Sequence, residues 1–269
     1  MIAELRDLAV AIAREAGDMA AAGRRSGNLA IETKSTATDV VTEWDRASEA
    51  LIVRRIRESR PDDGIVGEEG TSTSGTSGVS WLVDPIDGTT NFLYDLPGWN
   101  VSIAALDATG AIAGAVYVPR FGELFSAGRG LGARLDDTCG TRVLSCSAAS
   151  SLSTALVATG FSYQPERRTI QAQRVAKLMH EIRDIRRSGA AATDLCSVAA
   201  GRVDVYFEEW LGPWDLAAGE LIAREAGCRS GDFSGATVRP SEVLVASPGV
   251  FDAMSDLLQR AGAPFPGII

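Results

Sequence analysis

The rhythm of the chain changes near residue 151, and that change restricts the fold more than any other feature. Before it, apolar segments too short for helices follow one another at 101–106, 112–118, 123–127 and 133–135, punctuated by glycines and acids as in an antiparallel meander. After it, extended segments (155–159, 184–187, 203–208, 243–247) alternate with helical ones (167–182, 190–200, 216–226 and a last helix from Gly249). Alternation of this kind builds a layered α/β arrangement, because each helix must cover a sheet face. Two halves are expected, 1–150 and 151–269, joined by the short polar connector 145–153. A connector of that length makes them one compact unit.

The first quarter of the chain is helical with breaks. Leu5, Leu8, Ile12, Ala16 and Met19 recur at helical spacing over the first two dozen residues, with the end expected near Gly23. Thr42, with Asp45 three residues on, reads as the cap of a second helix that runs through Leu51, Ile52 and Ile56 and closes at Pro61. The arginines of 54–60 fit a solvated helix face. A short strand at 65–69 ends in Glu68 and Glu69, and residues 71–80, rich in Ser, Thr and Gly, read as mobile surface with nothing to bury. Trp81-Leu82-Val83 is an apolar strand that runs directly into Asp84.

Composition removes several chemistries. A net charge of −9 over 269 residues disfavours direct nucleic-acid binding, since phosphate backbones attract basic surfaces. No apolar run approaches the roughly 18 residues that span a bilayer, and the acids in residues 1–7 speak against a signal peptide. The cysteines, Cys139, Cys146, Cys196 and Cys228, show no metal-type spacing and read as reduced, which fits the cytoplasm. His180 is the only histidine and lies in a helical stretch, so sites of several His ligands and Asp-His-Ser triads are disfavoured. Carboxylates, hydroxyls and a metal are left to do the chemistry.

Acids gather where strands end. Asp84-Pro85-Ile86-Asp87-Gly88-Thr89 places two carboxylates, a carbonyl and a glycine turn after a buried strand. That set suits a hard cation, and the amides of Gly88 and Thr89 suit a phosphate oxygen. A polar turn capped by an aspartate would use the same residues. Glu68-Glu69 closes another strand and Asp215 opens a helix, where an aspartate is often only a cap. Together, however, these acids lack neighbouring Lys or Arg in sequence, and divalent cations would supply the missing charge.

Residues 81–92 and 214–227 resemble the two signatures of the inositol monophosphatase family, and the order of elements resembles it over nearly the whole chain. Cys228 departs from the small residue usual at the end of the second signature. The resemblance implies an α+β / α/β fold, a five-layer αβαβα sandwich. It also implies a Mg²⁺ cofactor (two ions with a third, weaker one), lithium sensitivity and a homodimer. Glu68, Asp84, Ile86 through its carbonyl, Asp87 and Asp215 look like the family's metal ligands, Asp215 being the one from the second half. Glu68 and Thr89, with Asp45 behind it, resemble the groups that activate and orient water for direct attack on phosphorus. Lys34 is similar to the lysine of the family's early loop, and Glu69 reads as a flanking acid.

Substrate contacts implied by the resemblance are Asp87, Gly88, Thr89, Gly189, Ala190, Ala191, Glu208 and Asp215. Ala190 replaces a hydroxyl residue common in inositol-hydrolysing relatives, while Thr90-Asn91-Phe92 resembles their branch more than the histidinol-phosphate branch. Arg186 and Arg187 are either pocket residues or solvated strand-end residues. The expected reaction is hydrolysis of a small phosphorylated polyol, myo-inositol monophosphate first. Histidinol phosphate, fructose 1,6-bisphosphate and 3′-phosphoadenosine 5′-phosphate are alternative substrates. A non-catalytic scaffold, or a second role with transcription machinery, is the alternative of another class.

Overall fold

Apolar residues on both faces of a strand require a layer on each side, and the central strands of this chain are of that kind. The structure, a computed structural model, describes residues 1–25, 27, 29, 31–34, 36 and 39–262. The first half runs α1 (Ile2–Arg25), β1 (Ile31–Thr33), β2 (Val40–Thr42), α2 (Glu43–Ser59), β3 (Gly64–Gly67), β4 (Ser72–Thr73), β5 (Ser80–Asp87) and α3 (Thr89–Leu93). The meander follows as β6 (Asn100–Asp107), β7 (Gly110–Val118), β8 (Glu123–Gly128), β9 (Ala133–Asp137) and β10 (Gly140–Val143). The second half contributes β11 (Leu156–Thr159), α4 (Pro165–Leu178), β12 (Asp184–Arg186) and α5 (Ala191–Ala199). It ends with β13 (Val205–Glu209), α6 (Pro213–Glu225), β14 (Arg229–Gly231), β15 (Glu242–Ala246) and α7 (Pro248–Gly262).

Strands β3 to β10 form an eight-stranded sheet in the order β10-β9-β8-β7-β6-β5-β3-β4, and the second half a five-stranded sheet in the order β12-β11-β13-β15-β14. Along β7, Ala113, Ala115 and Tyr117 join the cluster with α1 and α2, while Val116 and Val118 join the one with α5 and α6. That is the period of two expected of a strand covered on both sides. A third cluster packs β11, β13 and β15 against α4 and α7. The layers are thus α1/α2, the large sheet, α5/α6, the small sheet and α4/α7, the expected αβαβα sandwich. Residues of both halves share the middle cluster, so neither half closes its own core.

Several local readings need correction. Helix α1 ends at Arg25, near Gly23 as expected, but the glycine is not its terminator: a Cβ there would lie 2.3 Å from the Trp44 ring, so Gly23 serves close packing. Residues 71–80 are anchored: β4 pairs with β3, Ser77 Oγ donates to Asp63 at 2.6 Å, and Val79 is buried. The acceptors that pin this segment lie outside it, where local composition cannot show them. Helix α4 ends at Leu178, short of the expected 182, and the small sheet is mixed, because β15 runs antiparallel to β13 and β14. Strands β10 and β14 flank sheets as short edges and carry little apolar signal. The Thr42 cap, by contrast, forms as expected: Trp44 N–H donates to its Oγ1 at 3.2 Å and Thr42 N–H to Asp45 at 2.8 Å.

Candidate functional site

In a regular strand, residues three apart face opposite sides, so Asp84 and Asp87 could not share a site on a straight β5. A bulge resolves this. Asp84 pairs with Ser102 and Asp87 with Asn100, three steps on β5 against two on β6. The extra residue turns both carboxylates into one cleft, the usual service of a bulge beside a site. Pro85, lacking an N–H, fits a position that skips the ladder. Gly88 then adopts φ +86°, and a Cβ on it would sit 3.0 Å from Gly189 O and Ala190 Cβ. Here a glycine is needed twice over, for its backbone and for the close approach of the second half.

Beyond that turn, Glu68, Asp84 and Asp215 each offer an oxygen within 4.8 Å of the others. Glu68 arrives from the turn after β3, Asp84 from the bulge and Asp215 from the first turn of α6. Burial first, then the charges of Glu68, Asp87 and Asp215, pushes the Asp84 carboxyl well above its usual range. Asp215 is raised likewise by burial and by Asp87 and Glu68. Carboxylates crowded in this way favour either a proton or a cation between them. All the donors are hard oxygens, the chemistry of Mg²⁺ or Ca²⁺ sites, so the residues present fit a divalent cation.

Asp87 stands slightly aside. Its carboxylate accepts from Asn100 Nδ2 at 2.8 Å and from the N–H groups of Ala191 (3.3 Å) and Ala192 (2.8 Å) at the start of α5. Burial raises its pKa to about 6, against the lowering effect of those donors. Asp87 therefore ties the acidic bulge to the segment that carries Gly189, Ala190 and Ala191.

The hydroxyl and lysine also find their partners. Thr89 Oγ1 donates toward Asp45 Oδ1 at 3.1 Å and lies 3.2 Å from Ile86 O. Asp45 is buried, and burial raises its pKa above the ordinary carboxylate value. Lys34 Nζ lies 2.9 Å from Glu68 Oε1 and also pairs with Glu69. Burial disfavours the ammonium, but the two glutamates more than offset this and hold its pKa above normal. Glu69 itself is raised to about 7, burial outweighing the lysine.

A cleft of about 590 Å³ opens over these groups. Of the residues singled out from sequence, Glu68, Asp84, Ile86, Asp87, Gly88, Gly189, Ala190, Ala191, Glu208 and Asp215 line it. Thr89 and Asp45 lie behind its wall. Glu208 accepts from Tyr206 Oη at 2.6 Å, and burial lifts its pKa to about 7. Arg187 lines the cleft, whereas Arg186 pairs with Asp184 outside it. His180 is exposed beside Glu181, away from the cleft.

Sequence reasoning missed two acids. Glu49 accepts from Glu69 N–H at 2.8 Å and from the Thr71 N–H and hydroxyl at 3.0 and 2.6 Å, so it holds the turn that presents Glu68. Its signal was an acid on the buried stripe of α2, four residues after Asp45 and three before Ile52. Asp194, the one charged residue of α5, lines the cleft and is raised to about 7, chiefly by burial.

Comparison with known proteins agrees with this geometry. The chain is 44% identical over 246 residues to the inositol-1-monophosphatase of Mycobacterium leprae, covering 87% of this chain and 83% of that one. It is 41% identical over 266 residues to the Nus factor SuhB of Escherichia coli, covering 94% and 98%. The crystal structure of extragenic suppressor protein suhB from Bartonella henselae superposes with a TM-score of 0.89 at 34% identity, covering 98% of this chain and 100% of that one. A profile of the inositol monophosphatase family matches residues 1–261, and the chain belongs to that family.

Proposed function

We propose that this protein is a Mg²⁺-dependent phosphatase acting on a small phosphate monoester, with myo-inositol monophosphate as the leading substrate. The observation that carries the reading is the convergence of Glu68, Asp84 and Asp215 within 4.8 Å, beside the Thr89–Asp45 pair. Glu68, Asp84, Asp215, Asp87 and the Ile86 carbonyl would hold two or three Mg²⁺ ions. Bound there, the metal lowers the pKa of water and stabilises charge on the leaving oxygen.

The chain's own groups do the rest. Thr89, polarised by Asp45, orients the attacking water, and Glu68 takes its proton. The amides of Gly88 and Thr89 hold phosphate oxygens. Gly189, Ala190, Ala191, Glu208 and Asp87 meet the polyol, Glu208 accepting from its hydroxyls. Lys34 pairs with Glu68 from the open side. The protein acts in the cytoplasm as a homodimer with a lithium-sensitive site.

Two relatives carry different names, a monophosphatase and a Nus factor, so a regulatory role with transcription machinery is the second reading. The convergence of Glu68, Asp84 and Asp215 in the cleft favours the enzyme. Phosphate release from a panel of monoesters tests the assignment. Fastest release from myo-inositol 1-phosphate supports it. Preference for histidinol phosphate, fructose 1,6-bisphosphate or 3′-phosphoadenosine 5′-phosphate moves the substrate, and no release from any of them leaves the regulatory reading.

A further inference from the structure

Among the described residues, two other than glycine have positive φ: Asp95 at 57° and Trp210 at 63°. Aspartate tolerates that region, but for a bulky residue it is an outlier that neighbours must enforce. Here they do. Trp210 N–H reaches Ser241 O at 3.3 Å, Leu211 N–H reaches Pro240 O at 2.9 Å, and the preceding Glu209 is clamped by Arg174 at 3.1 Å. The kink ends β13 and swings the chain toward Asp215. Glycine would make the same turn without strain. The cost of an indole at this position therefore calls for a use.

The indole stands at a second chamber. A space of about 780 Å³ shares Glu68, Glu208, Asp215, Phe161 and Tyr163 with the first cleft and continues away from α5, where it adds Trp210 and Trp214 to its wall. Arg167 lies 5.2 Å from the centroid of the Trp210 ring. Trp210 and Trp214, which line this space and not the first cleft, offer a flat apolar face a surface that a compact polyol in the first cleft would not reach.

We propose that Trp210 is a specificity-determining residue, and that the second chamber takes the distal ring of a phosphate ester whose leaving group extends beyond one ring and offers a flat apolar face. It rests on the phosphatase reading above. Such a face belongs to an aromatic base or to the C–H side of a sugar ring, and the test separates these sources. Phosphate release is compared for a compact ester, glycerol 2-phosphate, and for two extended ones, a purine nucleoside monophosphate and a disaccharide phosphate. Trp210→Gly suits φ +63° and keeps the backbone turn. It is expected to cut the extended-to-compact ratio of kcat/KM about tenfold, mainly through KM, for whichever ring type the indole stacks. Arg167→Gln, which removes only the outer packing, should leave that ratio within about twofold. An unchanged ratio in Trp210→Gly, or an equal loss on all three esters, overturns the proposal. Should wild type hydrolyse none of these three nor myo-inositol 1-phosphate, the phosphatase reading falls, and saturation-transfer NMR with adenosine and with cellobiose still tests the chamber. Ring-proton transfer in wild type that is lost in Trp210→Gly supports the proposal; transfer that is equal in both, or absent in wild type, overturns it.

Discussion

Thr89 Oγ1 and Asp45 Oδ1 meet at 3.1 Å, joining the first turn of α2 to the helix start after the acidic bulge. The same aspartate caps α2 through the Thr42 N–H at 2.8 Å, so one carboxylate serves both fold and site. These two duties can be separated. Thr89→Ala should lower kcat about 100-fold while Thr89→Ser restores most of it, because only the hydroxyl is needed. Asp45→Asn should slow turnover as well and cost about 1 kcal/mol of stability through the weakened cap. Steady-state kinetics beside thermal melts check both, and full activity in Thr89→Ala would remove Thr89 from the mechanism.

Glu49 never lines the cleft, yet it holds the Glu69 and Thr71 amides at 2.8 and 3.0 Å and so fixes where Glu68 points. Partners behind a metal ligand typically govern affinity by about 10–100-fold. Glu49→Gln should therefore raise the Mg²⁺ concentration for half-maximal binding within that range, read by calorimetric titration without substrate. An unshifted titration would make Glu49 a purely structural residue.

How much of this could be read beforehand depended on how local each signal was. The acids at 68, 84, 87 and 215 announce themselves because each closes an apolar strand or opens a helix, and burial there needs compensation. The Thr42 cap is equally local. The bulge is different: spacing alone puts Asp84 and Asp87 on opposite faces, and only the pairing with Ser102 and Asn100 brings them together. Glu49 and Asp194 were hidden because a lone acid within a helix looks solvated until its partners in other elements are known. The 71–80 segment misled for the same reason, its anchor Asp63 lying on the preceding turn. The strain at Trp210 has no counterpart in composition at all.

Burial of acids also makes stability depend on pH. Burial lifts Asp87 to about 6, and Glu69, Asp194 and Glu208 to about 7, above the roughly 4 of an unfolded carboxyl. Between about pH 4 and 7 the native protein thus retains protons that the unfolded chain has released, so its stability falls as pH rises through that window. Metal-free protein in EDTA should melt at progressively lower temperature from pH 5 to pH 8. Mg²⁺ should raise the melting temperature more at pH 8 than at pH 5, since it must displace protons at the lower pH. Equal Mg²⁺ shifts at both pH values in scanning calorimetry would contradict this.

The central claim is that the carboxylates of Glu68, Asp84 and Asp215 hold the metal on which turnover depends. Its most direct test is phosphate release from myo-inositol 1-phosphate by wild type and by Asp84→Asn, each titrated with Mg²⁺ and checked for folding by circular dichroism. The account predicts release by wild type only when Mg²⁺ is present, and a loss of at least about 1000-fold in a folded Asp84→Asn at any Mg²⁺ concentration. Release by wild type in EDTA, or wild-type turnover in Asp84→Asn, would contradict it.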